Sequence, residues 1–221
     1  MGFKQVVRFT SDAAALEKIL RFLQSLSQIL AVYAATAEGA KTWWLLRTQF
    51  ALGRRYFRFF KFLDSFSKAF DSFYATDGVV GVLEVGKWSC LGAYLFLESL
   101  TILHTMGVWP VPWAETCLLE GNKFWFYSLV CSIFLGGLQL YAGGGEAKVG
   151  NSEKTKGKKQ GLKAQQQKLS GIKRRMIVDS FDLFIPGFVT GWIVTTHAFV
   201  GFAGAVSTVL STKDIWDRMQ K

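Results

Sequence analysis

Three cysteines, two histidines and three prolines are all that 221 residues carry of those types, and each scarcity removes a class of function. Cys90, Cys117 and Cys131 form an odd set without a CxxC pair, so neither a disulfide framework nor a zinc site is encoded. Buried thiols, in a reducing setting or within lipid, account for them. His104 and His197 stand alone in apolar segments, with no HExxH, GxSxG or GxGxxG beside them. The triple glycine at 143–145 runs into Glu146 and lacks the Lys and Ser/Thr of a phosphate-cradling loop. Asp179 and Asp182, three residues apart, could form an acid/base pair or bind a cation, but helix capping and interfacial solvation explain them more simply. The expectation is a protein that is not an enzyme, with no catalytic residue, metal or cofactor. Addresses are equally sparse: no uninterrupted apolar stretch opens the chain as in a secretory signal, and Val6 stands where a myristoylation motif needs Ser or Thr. The closing RMQK is neither a peroxisomal tripeptide nor an ER-retention signal.

Acidic residues are outnumbered 16 to 26 by Lys and Arg, giving a net charge of +10. Half of the chain is nonetheless hydrophobic, with a mean hydropathy of +0.23. That pairing suits a protein in or on a membrane with an anionic surface. The cations are clustered, twelve within residues 1–87 and ten within 148–175.

The organising stretch is Trp44 to Tyr74. At 100° per residue, Leu52, Tyr56, Phe59, Leu63, Phe66, Phe70 and Phe73 form one apolar stripe on a helix. Arg47, Arg54, Arg58, Lys61 and Lys68 take the opposite side, with Ser65, Ser72, Asp64 and Asp71 beside them. Rings on one face and cations on the other describe a helix lying in a bilayer's interfacial plane, rings at the acyl boundary and cations at anionic headgroups. An amphipathic helix is more commonly the surface helix of a soluble domain, its stripe buried on a core. The density of phenylalanine, the cationic polar face and the apolar runs downstream favour the membrane. Interleaved basic and aromatic residues also occur in single-strand nucleic-acid binders, but here rings and cations point in opposite directions, and no nucleic acid is expected.

Ahead of this stretch, Ser11 or Asp12 caps a first helix running to about Tyr33. Leu16, Ile19, Leu23, Leu26, Leu30 and Tyr33 share one face, and Glu17, Arg21, Gln24 and Gln28 the other. TAEGAKT, around Gly39, reads as the turn between the two helices, which could pack as a hairpin shielding each other's stripes until a bilayer competes. Downstream, Leu91 to Val108 is apolar enough to span but carries Glu98, a carboxylate costing roughly 2.5–3.5 kcal/mol near a helix centre. Pro110 and Pro112 then forbid helix, and Trp109 and Trp113 suit a headgroup boundary.

Two runs lack charge altogether. Phe124 to Gly145 offers 22 such positions, long enough to cross a bilayer, and Gly187 to Thr212 offers 26. In the second run, Pro186 opens the helix, and Gly187, Gly191, Ala198, Gly201 and Ala205 line up as small residues on one face, the pattern of close helix packing. The fold class is therefore all-α, with N-terminal amphipathic helices followed by two or three transmembrane helices. Residues 1–78 form the amphipathic region, 79–145 the membrane region, 146–178 a basic flexible loop, 179–212 a C-terminal transmembrane helix and 213–221 a short polar tail. If both basic regions share one side, three crossings are needed.

Three stretches, in order, resemble the peroxin-eleven family of peroxisomal membrane elongation and proliferation factors, in particular its fungal branch. EKILRFLQSLSQILA from Glu17 looks like the family's opening helix, and FALGRRYFRFFKFLDSF from Phe50 like its most characteristic helix. RMIVDSFDLFIPGFVTGWI from Arg175 resembles the entry to its last span, matched by Asp179, Asp182, Pro186, Gly191 and Trp192. The resemblance implies that the long helix inserts into the cytosolic leaflet of the peroxisome and bends it. It also implies a homo-oligomer, the fission machinery and a peroxisomal membrane-protein import receptor as partners, and both termini in the cytosol. A second expectation, from another class, is a pore or metabolite channel of that membrane, with Glu98, His104 and His197 as pathway residues.

Overall fold

A computed structural model describes residues 3–149 and 156–219, without the side chains of 143–149, 156–164, 214, 218 and 219. The described residues form helices and connections, with no strand among them. In chain order they are α1 (Phe3–Ser11), α2 (Ala13–Val32), α3 (Ala37–Arg58), α4 (Lys61–Ala75), α5 (Gly78–Leu100), α6 (Ile102–Thr105), α7 (Ala114–Val149), α8 (Lys156–Val189) and α9 (His197–Met219).

Local chemistry sets several boundaries. Asp12 is extended and its carboxylate accepts the Ala15 N–H at 3.0 Å, so α2 starts where the capping pattern places it. Thr36 caps α3 in the same way through the Gly39 N–H at 3.1 Å. Gly39 therefore lies in the first turn of α3, not in a loop, and the connection from α2 is shorter than the sequence suggests. The prolines at 110 and 112 sit between α6 and α7, as expected.

Four expectations are corrected. The stretch from Trp44 to Tyr74 is two helices, interrupted at Phe59 and Phe60. The freed Phe59 carbonyl accepts the Ser99 hydroxyl of α5 at 2.7 Å, so the break is satisfied by a neighbour. It lets α3 pack on α2 while α4 packs on α5. The first membrane candidate is α5, displaced towards the N-terminus from Leu91–Val108; with α7 over Ala114–Ala142, it is one of two helices long and apolar enough to cross a bilayer. The uncharged run 187–212 is not one span, because α8 ends at Val189 and α9 begins at His197. Gly191, with φ +75°, turns the chain there, and the Ile193 N–H closes the turn on the Gly187 carbonyl at 2.9 Å. Finally, the segment taken as a basic loop, 146–178, is helical from Lys156 onwards, and residues 146–149 belong to α7. Lys, Gln, Leu and Ala are good helix formers, and Ile172 and Met176 seat this helix against Gly136 of α7; residues 150–155 lie outside the described residues.

The helices pack side by side in the order α3, α2, α9, α8, α7, α5, α4, and α3 returns to touch α5. This closes the bundle around an interior to which α2, α3, α5, α7, α8 and α9 all contribute.

Candidate membrane interface

Burial in this bundle departs from that of a water-soluble protein, although Tyr94, Leu95, Ile102, Leu129, Leu135 and Val200 are buried too. Glu17, Arg21, Gln28, Arg54, Glu98 and Asp182 are all buried. Phe22, Leu26, Tyr33, Val82, Phe96, Phe134, Tyr141 and Phe202 are exposed. The largest side chains that are fully buried are Thr101, Thr208, Pro186 and Ser207, none of them a big hydrophobe. Buried charge and uncovered apolar surface are the two informative departures from ordinary burial, and they occur here together. Both departures are those expected of a protein whose solvent is apolar, with charged groups turned inward to one another.

Within the amphipathic region, the expected apolar stripe does face outward. Tyr56, Leu63, Phe66, Phe70 and Phe73 are 50%, 59%, 41%, 64% and 68% exposed, with Leu52 and Phe59 half-buried. Its opposite side behaves differently from the headgroup-facing ridge read in the sequence. Lys61 and Lys68 are exposed, the Lys68 ammonium reaching Asp64 at 2.6 Å and lying 4.8 Å over the Trp88 ring. Arg47, Arg54 and Arg58 instead point into the bundle. Arg54 donates to Glu17 at 3.0 Å and to Gln24 at 2.7 Å; Arg47 donates to Gln28 at 2.8 Å. Arg58 donates to Glu98 at 2.7 Å, and the Tyr94 hydroxyl donates to the same carboxylate oxygen at 3.0 Å. A headgroup role for these three arginines is thus corrected by their geometry. They face α2 and α5, whose acids and amides supply acceptors that lipid would have to replace.

The same inversion corrects the hairpin expected of α2 and α3. The two helices do pack together, but through Glu17, Gln24 and Gln28; of the α2 stripe Leu26 and Tyr33 are exposed and Leu16, Ile19, Leu23 and Leu30 half-buried. Gln28 also donates to the His197 carbonyl at 2.7 Å, tying α3, α2 and α9 in one chain of hydrogen bonds.

Asp179 and Asp182 neither cap a helix nor face solvent. Asp182 accepts from the buried Arg21 of α2, which also reaches Ser207 of α9; Asp179 accepts the Ser132 hydroxyl of α7 at 2.6 Å. Burial raises the Asp179 carboxyl above its ordinary range, against the lowering pull of Ser132, Arg175 and Lys87. Glu17 goes the other way. Burial alone would raise it, but Arg54, Arg58, Lys18 and Arg21 together hold it down to about 2.

Of the small residues read as a packing face, Gly201 meets Ile29 and Ser25 of α2, while Gly187 lies under Ile193 and Gly191 forms the turn. Ala198 and Ala205 are half-buried on α9. No single stripe spans them, because the chain reverses between Gly187 and Ala198. Glu98 and His197 line the interior, whereas His104 lies outside it and accepts the Val111 N–H at 3.0 Å. The inward pairing of the arginines is what sequence reasoning missed. The signal was present as acids and amides on α2 at the same helical rhythm as the arginines on α3.

The model of the peroxisomal biogenesis factor 11 family, PEX11, matches residues 3–216. The chain belongs to that family. Peroxisomal membrane protein PMP27 of Saccharomyces cerevisiae is 30% identical over 227 residues, covering 95% of this chain and 92% of that protein. No solved structure matches. This PEX11-family chain is a peroxisomal membrane protein involved in peroxisome proliferation and division, and its two apolar helices, α5 and α7, are suited to crossing the membrane.

Proposed function

We propose that the chain drives peroxisome elongation by wedging the aromatic face of α3 and α4 into one leaflet, next to a membrane anchor formed by α5 and α7. The observation that carries this reading is the row Tyr56, Leu63, Phe70 and Phe73, each at least half exposed, with Phe66 beside them leaning on Gly92 of α5. Burying such rings about 5–10 Å into one leaflet expands it relative to the other and favours curvature. Lys61 and Lys68 supply the headgroup contacts, and anionic lipid strengthens them. Copies gathered as a homo-oligomer concentrate the wedges, and the curved membrane is the substrate on which fission machinery acts. The import receptor for peroxisomal membrane proteins delivers the chain. No step of this mechanism involves catalysis.

The test is tubulation of anionic liposomes by the reconstituted full-length chain, scored by electron microscopy. The triple variant Leu63→Ser, Phe70→Ser, Phe73→Ser is expected to stay folded and inserted through α5 and α7, yet to leave vesicles round. Undiminished tubulation by that variant would falsify the wedge.

A further inference from the structure

The bundle holds a partly open cavity of about 310 Å3, lined by apolar side chains and by a cluster of arginines. Arg21, Arg47, Arg54, Arg55 and Arg58 all border it, against Glu98 as the lining carboxylate. Two more acids stand behind the wall, Glu17 on Arg54 and Asp182 on Arg21. Five guanidinium groups thus meet three carboxylates in this cluster, an excess of two positive charges, with Arg21 and Arg54 buried and Arg47, Arg55 and Arg58 half-buried. Three of the five share the shortfall. Arg47 reaches only the neutral Gln28 amide among its hydrogen bonds; Arg55 stands 3.6 Å from a Glu98 oxygen already engaged by Arg58; and the buried Nε–H of Arg58 has no acceptor. Crowding of like charge is felt at Arg54, where burial, then Arg58, bring the guanidinium down to about 10 despite Glu17 alongside.

An interior charge excess is costly in a medium of low polarity unless something balances it. Guanidinium forks are shaped for planar or tetrahedral oxyanions, which take several N–H donors at once. We propose that this cavity is a binding site for a small oxyanion of the phosphate or carboxylate class, held by Arg47, Arg55 and the unused Nε–H of Arg58. Its volume lies at the lower end of the roughly 300–1,000 Å3 range of small-ligand cavities, so the occupant is one anionic group with a small substituent. All three donors lie on α3 and border the interior. The phosphate could belong to a soluble anion or to a lipid headgroup drawn between the helices. The assignment stands independently of membrane bending.

The experiment is thermal unfolding and calorimetric titration of the full-length chain in phosphatidylcholine nanodiscs. One arm adds inorganic phosphate against potassium chloride of equal ionic strength, and the other adds short-chain phosphatidic acid. Protection by inorganic phosphate assigns a soluble anion; protection by phosphatidic acid alone assigns a headgroup. Either way, Arg47→Gln removes a charged donor without stranding a carboxylate, and should weaken binding about tenfold or more. Glu98→Gln, where it folds, should tighten binding. The proposal is overturned if neither ligand protects beyond the chloride control, or if Arg47→Gln leaves the protection unchanged, which would place the anion on surface cations.

Discussion

Arg58 of α3 donates to Glu98 of α5 across 40 residues of sequence, at 2.7 Å, with Glu98 buried and Arg58 half-buried. Arg55 stands 3.6 Å from the same carboxylate oxygen. This pairing explains how a helix long and apolar enough to span a bilayer tolerates a carboxylate: Glu98 is turned from the lipid-facing side towards an arginine. It also ties α3 to α5.

Breaking that pair from one side strands the other. Glu98→Ala should cost about 3–5 kcal/mol of stability, because two guanidinium groups lose their buried acceptor. The double variant Arg58→Met, Glu98→Leu should recover most of the loss, since the charges leave together. Unfolding midpoints in detergent compare the two; equal losses in both would contradict a buried pair.

Acid should act through Glu17. Its carboxyl is lowered from 4.5 to about 2, so its contribution is fully present above about pH 4.5 and is lost as pH falls towards 2. Thermal midpoints measured from pH 6 downward should hold steady and then fall through that window. In Arg54→Met the largest lowering partner is gone, so the Glu17 carboxyl is less depressed and the acid loss attributable to it should be smaller and level off at higher pH. Identical acid profiles for the two proteins would count against the ion pair.

Close approach of α2 and α9 rests on Gly201. A Cβ there would sit 2.9 Å from Ile29 and 3.1 Å from the Ser25 carbonyl, and a backbone atom cannot swing aside. Gly201→Leu should therefore destabilise by about 1–3 kcal/mol. Gly137→Ala, with open space around it, should be neutral or slightly favourable. Thermal unfolding of the pair, with cross-linking between α2 and α9 as a second measurement, separates overpacking from a general intolerance of substitution.

Depth should differ between neighbouring positions on α4. Phe70 is 64% exposed while Ser65 and Ala69 are buried. A fluorophore placed at 70 or 73 should be quenched by bromine on lipid acyl chains. One at 65 should be shielded from both lipid and aqueous quenchers. Aqueous quenching at 70 in the reconstituted protein would place that face in water.

Part of this protein was legible before any tertiary structure. The Asp12 cap, the two proline breaks and the uncharged run from Phe124 are local signals, and helices start, stop or span where those signals stand. The aromatic stripe was legible because periodicity reports which residues share a face. Helix breaks were not. Nothing at Phe59–Phe60 is a breaker by type, and the interruption depends on Ser99 of α5, 40 residues further along, to satisfy the opened carbonyl. The break after Val189 similarly relies on a glycine whose positive φ the apolar run around it conceals.

Alternation of apolar and polar residues, by itself, determined that these segments are two-faced helices and that the chain suits a membrane. Which face is inside is a different question, because amphipathicity is symmetric between a helix that buries its rings and one that buries its charges. Tertiary structure decided it by bringing Glu17, Gln24, Gln28 and Glu98 opposite the arginines of α3. Once acceptors are supplied from within the bundle, turning the cations inward satisfies them, and the rings are left on the outside, an arrangement that suits an apolar solvent.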